Sequence, residues 1–357
     1  MARQIYGLAV ALAVAMAILS VAASVVLDLP LRDPEGFLGP SWIRLPAILA
    51  VGFLLDVLPR GFYRARGFRG VVRHVLDVVS ERWTFHRISM VVAGVTSFYL
   101  TYVSYRNLKS FLPWIREHTY DDALAEFDRL LTFGYDPAGL LHSVLGTGVS
   151  AHVLSFFYVG YLVFVPITLA AWLVWSRNVA AGLWYCTALC VNWALGVASY
   201  YIIPSWGPVF VEPAQFRDLP HTGVTELQTA LWDSQYNVIT DPNLTESVRS
   251  IAGFASLHVS VVFAAALITH LTVRNATIRW SLWAYFGLTV LATIYFGWHY
   301  IADDIAGVGI GCFSVWVSAV ATGHHLHGNR RGSIFGAAEA GEPPEATIPV
   351  KRPAGAR

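Results

Sequence analysis

The chain has 357 residues, of which 55% are hydrophobic and only 13% are charged, against about 25% charged residues in soluble domains. This composition excludes an ordinary water-soluble globule, and the formal net charge of +1 argues against a nucleic-acid partner, because neutralising phosphates requires a concentrated basic surface. The 13 Trp residues favour a membrane protein, since rings with one polar edge collect at the two membrane interfaces.

Apolar segments of about 20 residues predict membrane-spanning helices. In chain order, eight such segments lie near residues 5–27, 43–58, 87–106, 151–175, 179–203, 254–273, 280–298 and 301–322. The first is alternatively a signal peptide, because it follows Arg3 and ends in small residues. The second is short and contains Pro46 and Asp56, so it is alternatively tilted or re-entrant. We therefore predict an all-α polytopic membrane protein.

These spans predict three parts of the chain. Residues 1–85 contain two helices and a basic loop, residues 86–325 form a six-helix catalytic core, and residues 326–357 form a disordered cytoplasmic tail rich in Pro, Gly and Ala. The three cysteines, Cys186, Cys190 and Cys312, lie within apolar spans, and we expect them to be core residues.

Basic residues in the short loops predict the orientation in the membrane. Seven arginines between Arg60 and Arg87 place that loop in the cytoplasm. Alternating spans then put both termini in the cytoplasm and residues 28–42, 107–150 and 204–252 on the outer face of the plasma membrane. Within the second of these outer segments, apolar residues recur at near-helical spacing between acidic ones, which predicts an interfacial helix that is half-buried in headgroups.

Ionisable residues at the ends of apolar helices indicate a functional site. His299 and Asp303 lie four residues apart, so a helical turn brings both side chains to one face. The carboxylate then accepts the Nδ1 proton and leaves Nε2 as a nucleophile or base. His258 begins the sixth span at the same membrane face. Two histidines and one acid suit phosphoryl transfer through a phosphohistidine, with the second histidine as the proton donor.

Four motifs resemble those of a known family. Ser256-Leu257-His258 and His299-Tyr300-x-x-Asp303 resemble the second and third signature motifs of the type 2 phosphatidic acid phosphatase superfamily. Residues 128–137 and 201–208 resemble segments of its branch that includes fungal inositol phosphorylceramide synthase. The likeness covers about residues 86–322. It implies that His299 is the nucleophile, that Asp303 orients it, and that His258 protonates the leaving group.

The phosphate-binding cations of the phosphatase branch are absent. Thr293 stands where that branch carries an arginine, and its K-x6-R-P motif is missing. Because a transferring phosphoryl group needs positive charge or aligned donors, we predict a substitute set of substrate-binding residues. This set comprises Ser256, Arg249, Asn107, Lys109 and Tyr201; Arg106 and Arg217 are further candidates. Alternatively, Arg249 is a loop arginine beside Glu246, and Lys109 is an anchor at a helix end.

Three functions remain open on the sequence. The first is a membrane phosphotransferase that moves a phosphorylated headgroup, of inositol-phosphate or glycosyl-phosphate type, from a lipid donor to a lipid or polyol acceptor. The second is a lipid or polyprenyl phosphate phosphatase that uses water. The third, from another class, is a proton-coupled transporter. We expect no cofactor and no metal, because the outer loops offer no obvious ligand set, so activity should survive a chelator.

Overall fold

The computed structural model describes residues 6–34, 41–68, 70–176, 178–240 and 253–324. This part of the chain is all-α, which confirms the predicted fold class. The helices are α1 (Gly7–Leu27), α2 (Ser41–Ala65), α3 (Val71–Arg82), α4 (Phe85–Ile115), α5 (Asp121–Leu131), α6 (Pro137–Leu145), α7 (Val149–Ala170), α8 (Val179–Ile202), α9 (Pro208–Val211), α10 (Gly223–Thr240), α11 (Leu257–Thr272), α12 (Ala276–Tyr295) and α13 (Ile301–Thr322). The predicted tail, residues 326–357, lies outside the described residues.

Each of the eight predicted spans coincides with a helix. Among the described residues, six helices are long and apolar enough to cross a membrane by length and composition: α1, α2 from Pro46 onward, α4, α7 with its π-helical extension to Trp175, α8 and α13. α11 is apolar but has only 16 residues, and α12 packs against it and against α7. The protein is therefore a polytopic membrane protein.

α8 lies at the centre of the bundle and packs against α1, α4, α11 and α13. Its middle is fully enclosed, and Cys186 and Cys190 are 0% exposed, as expected for core residues. The same expectation is wrong for Cys312, which is exposed on α13. A small apolar residue within a span is not necessarily buried, because the surface of a membrane protein is itself apolar.

The arginine-rich end of the bundle is held by a buried carboxylate. Asp56 is 1% exposed and accepts hydrogen bonds from Arg60 Nε at 3.0 Å, Arg82 Nε at 3.1 Å and Trp83 Nε1 at 3.0 Å. Arg87 donates hydrogen bonds to the carbonyls of Val174 and Ser176, at the end of the π-helical turn that extends α7. The arginine side chains therefore satisfy backbone carbonyls at the end of α7 that no further helical turn can reach. α2 is one continuous helix through both of its prolines.

The predicted interfacial helix is two helices, α5 and α6. The turn between them, residues 132–136, contains Phe133 and Gly134 at positive φ. α5 exposes apolar side chains such as Leu130, which is 75% exposed, and buries Asp121 and Asp128. Asp121 and Asp128 therefore point into the protein, toward the end of the bundle where α11 and α13 begin, whereas Asp122 and Glu126 are exposed.

Candidate active site

His299 lies in the turn between α12 and α13 and is paired with the first turn of α13. Its Nδ1 lies 3.0 Å from Asp303 Oδ2, and the same oxygen accepts the Tyr300 backbone N–H at 3.1 Å. Both side chains are buried, at 3% and 1% exposure. A carboxylate on Nδ1 fixes the tautomer that leaves Nε2 unprotonated.

The charge state of His299 follows from its surroundings. Burial disfavours the imidazolium, and the positive charge of Lys109 disfavours it further. Together they lower the pKa of His299 to about 3. At neutral pH the ring is therefore neutral, which is the form that a nucleophile requires.

His258 lies in the first turn of α11 and faces the same space as His299. The two ring centroids are 6.2 Å apart. Two tyrosines of α7 hold the His258 ring from the other side: Tyr158 stacks on it at 4.7 Å and Tyr161 contacts it at 4.1 Å. The sequence reasoning missed this pair, because it lies on another helix and no local pattern links it to His258.

Ser256 positions α11 against α13. Its hydroxyl caps the helix by accepting the Val259 N–H at 3.4 Å, and its own N–H donates to the Asp303 carbonyl at 3.0 Å. The helices approach closely here because Gly307 has no side chain: a Cβ at that position would lie 2.5 Å from the Ser256 carbonyl oxygen. Ser256 thus links the two elements that carry His258 and His299.

Thr293 occupies the position of the arginine that the sequence lacks, and it contacts other residues of the protein. Its hydroxyl donates to Asp304 Oδ2 at 2.8 Å, and its carbonyl accepts the Trp298 N–H at 2.9 Å. The residue is 0% exposed. It fixes the turn that carries His299 and contributes no charge.

Lys109 is a buried cation close to the histidines. Its side chain lies near the end of α4 and is 7% exposed. The ammonium lies 5.2 Å from the ring centroid of Tyr200 and 6.0 Å from that of Tyr105, a cation–π arrangement that holds a charge in an apolar setting. Of the predicted phosphate-binding cations in the described residues, Lys109 is the one whose charge acts on His299.

The other predicted substrate-binding residues have different surroundings. Asn107 donates both amide hydrogens, to the carbonyls of Arg32 and Val103, and accepts the Arg32 N–H at 2.8 Å. The Tyr201 hydroxyl donates to the Leu108 carbonyl at 2.6 Å. Asn107 therefore connects the segment at Arg32 to α4, and Tyr201 connects the end of α8 to α4. Arg217 is exposed in a loop, and Arg249 lies outside the described residues.

Two carboxylates of α5 hold the turn around His299. Asp128 accepts the N–H groups of Ile301 at 2.7 Å and Ala302 at 3.2 Å, so it caps α13 from another helix. Burial raises the pKa of Asp128 above its usual value, and these two hydrogen bonds offset only part of that increase.

Asp121 accepts the Tyr300 hydroxyl at 3.1 Å and the backbone N–H groups of Trp206 and Gly207. The two carboxylates lie seven residues apart on one face of α5. In the described part of the chain, no three His, Cys, Asp or Glu side chains are grouped so as to hold a metal ion.

The fold and site define a membrane protein with two histidines and a carboxylate gathered at one end of its bundle. Residues 122–325 match the PAP2 superfamily, more than half of the chain, and the chain therefore belongs to that superfamily. This confirms the superfamily-level resemblance seen in the motifs.

The chain is similar to a lipid phosphatase over a short stretch. A stretch of 59 residues is 36% identical to a lipid A 4'-phosphatase of Porphyromonas gingivalis. The match covers 16% of this chain and 25% of that protein, so the chain aligns with about a quarter of the relative's length. No solved structure matches the chain.

Proposed function

We propose that the protein is a membrane phosphotransferase, related to the inositol phosphorylceramide synthase branch, that moves a phosphorylated headgroup between lipids through a phosphohistidine on His299. The observation that carries the proposal is the buried His299–Asp303 pair at 3.0 Å with His258 at 6.2 Å between ring centroids. Superfamily membership supports an enzyme over the transporter alternative. The active site lies on the extracytoplasmic face, opposite the arginine-rich end.

In the first step, the lone pair of His299 Nε2 attacks phosphorus and forms the N–P bond. The bond between phosphorus and the oxygen of the lipid leaving group breaks, and that oxygen takes a proton from His258. The negative charge of the bound phosphate stabilises the protonated form of His258 that this step requires. Asp303 stabilises the positive charge that develops on His299 by accepting its Nδ1 proton in a hydrogen bond.

In the second step, the hydroxyl of the acceptor attacks phosphorus. The N–P bond breaks and returns its electron pair to His299, while His258, now neutral, takes the proton of the attacking hydroxyl. Both histidines are thereby restored. With water in place of the acceptor, the same two steps hydrolyse the substrate.

Lys109 supplies positive charge for the transferring group. Its burial beside Tyr105 and Tyr200 strengthens its attraction for a phosphate, because a low local dielectric screens charges weakly. The backbone N–H groups that start α11 add a helix N-terminus to the same site. Asp303 acts through His299 and is a positioning residue.

Hydrolysis is the second candidate function. It is favoured by the similarity to a lipid A 4'-phosphatase. Transfer is supported instead by Thr293, which binds Asp304 where the phosphatase branch carries a cation, and by the likeness of residues 128–137 and 201–208 to the transferase branch. The donor is a membrane lipid phosphate or phosphodiester in either case.

Purified full-length protein in nanodiscs separates these functions. It is incubated with ³²P-labelled lipid phosphates and phosphodiesters, with and without acceptor lipids, and compared with His299→Ala and with His118→Ala, an exposed histidine in a loop. We expect label to move to a second lipid in wild type and His118→Ala, and not in His299→Ala. Release of free phosphate alone would establish the phosphatase. Equal activity in all three proteins would refute both functions.

A further inference from the structure

The hairpin formed by α2 and α3 exposes an apolar face at the arginine-rich end of the bundle. On the exposed side of α3, Val72 is 74% exposed and Leu76, one turn later, is 62% exposed. Phe68, in the turn before α3, is 90% exposed and contacts Phe62 of α2, with 6.1 Å between the ring centroids. We call these four side chains the hairpin face. The proposed reaction at the histidines does not use them.

The hairpin face continues the lipid-facing surface of a membrane span. α2 is long and apolar enough to span a membrane over Pro46–Ala65, and Leu55, Leu58 and Phe62 are exposed along one side of it. α3 connects the end of this span to the start of the next one, α4. A segment between the ends of two consecutive spans lies at the membrane surface. Membrane lipid is therefore the occupant that this position favours for the hairpin face.

Arginines border the hairpin face. Residues 60–87 contain seven arginines and only two acids. Arg64 pairs with Glu81 at 2.7 Å, whereas Arg66, in the turn before α3, and Arg73, on α3, are exposed. Exposed apolar side chains next to surface arginines are typical of helices that lie in the headgroup layer. Because arginines near a membrane surface attract anionic headgroups, the charge favours an anionic lipid over a neutral one.

We propose that the hairpin face is a binding site for anionic phospholipids, whose acyl chains contact Phe68, Val72 and Leu76 and whose phosphates pair with Arg66 and Arg73. The last residue of α3 binds the buried carboxylate of α2, so the face has a fixed orientation and lipid binding orders few side chains. In the proposed orientation, these lipids belong to the cytoplasmic leaflet. The site is distinct from the active site, and its occupancy requires no phosphoryl transfer.

Quenching of a fluorescent probe on the hairpin face tests the site. The probe is bimane on Leu76→Cys in the full-length protein with Cys312→Ser; Cys186 and Cys190 are 0% exposed, so the label is confined to the introduced cysteine. The protein is placed in phosphatidylcholine nanodiscs that contain an equal, small fraction of either phosphatidylglycerol or phosphatidylcholine with a spin label on the acyl chain. Iodide serves as the aqueous quencher.

The test variant is Arg73→Gln, and its matched control is Arg274→Gln, an exposed arginine between α11 and α12 at the same end of the bundle. We expect spin-labelled phosphatidylglycerol to quench the probe about threefold more strongly than spin-labelled phosphatidylcholine. This preference should fall by about half in Arg73→Gln, remain unchanged in Arg274→Gln, and decrease at high ionic strength, which screens exposed charges.

Other patterns of quenching would overturn the site. Equal quenching by the two lipids would remove the anionic preference, and an unchanged preference in Arg73→Gln would remove the arginine contact. Quenching by iodide and by neither lipid would place the exposed side of α3 in water. Protection from all three quenchers would mean that another protein surface, such as a second copy of the chain, covers the hairpin face.

The lipid site and the proposed function fail separately. The quenching measurement needs no turnover, and the lipid preference is expected to persist in His299→Ala. If His299→Ala retains full activity while the preference is intact, the proposed function fails and the lipid site stands. If the preference is absent while His299→Ala is inactive, the lipid site fails and the proposed function stands.

Discussion

At the scale of single residues, three influences act on His299: the Asp303 carboxylate, burial and the charge of Lys109. Asp303 fixes the tautomer through the 3.0 Å hydrogen bond. Burial and the charge of Lys109 keep the ring neutral. In the proposed reaction the same lysine binds the phosphate, so one cation both protects the nucleophile from protonation and attracts its substrate.

The pKa of His299 gives a testable pH dependence. An unfolded histidine titrates near pH 6.5, whereas His299 has a pKa of about 3. Between these values the unfolded chain binds more protons, so the contribution of His299 to stability is complete above pH 6.5 and is lost as the pH falls toward 3. An NMR titration of the His299 ring is expected to show no protonation at pH 5.

Lys109→Gln checks the cause of this shift. Removing the positive charge raises the pKa of His299, because a cation no longer opposes the imidazolium. We expect the titration to move upward in Lys109→Gln and to stay in place in Arg73→Gln, which removes an exposed cation on α3. A wild-type midpoint near 6.5, or no change in Lys109→Gln, would contradict the assigned electrostatics.

At the scale of elements, the start of α13 is capped by a residue from α5. Asp128→Ala removes two hydrogen bonds to Ile301 and Ala302, and we expect a loss of about 1–2 kcal/mol of stability and a lower kcat, because the turn with His299 loosens. Glu126→Ala is the control, an exposed acid on the same helix. Thermal unfolding and turnover measure both effects. Equal behaviour of the two variants would show that the cap is unimportant.

The contact between α11 and α13 gives a second prediction at this scale. In Gly307→Ala, the added Cβ would lie 2.5 Å from the Ser256 carbonyl oxygen, whereas Gly309→Ala, on the same helix, meets nothing within 4 Å. We expect Gly307→Ala to separate the two helices, to lower the melting temperature and to abolish most of the activity. Gly309→Ala should behave like wild type. A fully active Gly307→Ala would mean that the two histidines tolerate this displacement.

Helices with a long apolar run could be predicted from the sequence, whereas contacts between residues far apart in the chain could not. Eight predicted spans coincide with helices because an apolar length of about 20 residues is a strong local signal. The break between α5 and α6 was missed because the apolar spacing was followed across Gly134 and Pro137, although a Gly at positive φ and a Pro in the first turn of a helix are the usual signals of a helix end and a helix start. Asn107 was predicted to bind substrate. Its hydrogen bond with Arg32, 75 residues earlier in the chain, was not predicted, because no local pattern encodes such a contact.

The candidate site was predicted in the same uneven way. The spacing of His299 and Asp303 is local, so their pairing followed from helical geometry. The tyrosines around His258 come from another helix, and only packing brings them to the site. The sequence left several candidates for the phosphate-binding cation, because it does not reveal which charged side chain is buried. Lys109 is distinguished by its contacts with Tyr200 and Tyr105.

At the scale of the whole molecule, the two ends of the bundle differ in charge. One end buries Asp56 among arginines, and the other gathers the histidines and the carboxylates of α5. Because basic loops remain in the cytoplasm, the proposed orientation places the histidines outside. In that proposed orientation, the site has access to lipids of the outer leaflet.

Cysteine labelling tests this orientation. Single cysteines are introduced by Asp122→Cys and Asp77→Cys in a background with Cys312 replaced, and intact cells are treated with a membrane-impermeant thiol reagent. We expect Asp122→Cys to react in intact cells and Asp77→Cys to react only after permeabilisation. The reverse pattern would place the histidines on the cytoplasmic side and require a different source of substrate.

The central claim is that His299 carries phosphorus during the reaction, and trapping the phosphorylated protein tests it most directly. The full-length protein is mixed briefly with the ³²P-labelled donor that it turns over, quenched with base, and digested for mass spectrometry. We predict a base-stable, acid-labile label on His299, absent in His299→Ala and lost when an acceptor is added. Turnover without any protein-bound phosphorus, unchanged in His299→Ala, would contradict the account.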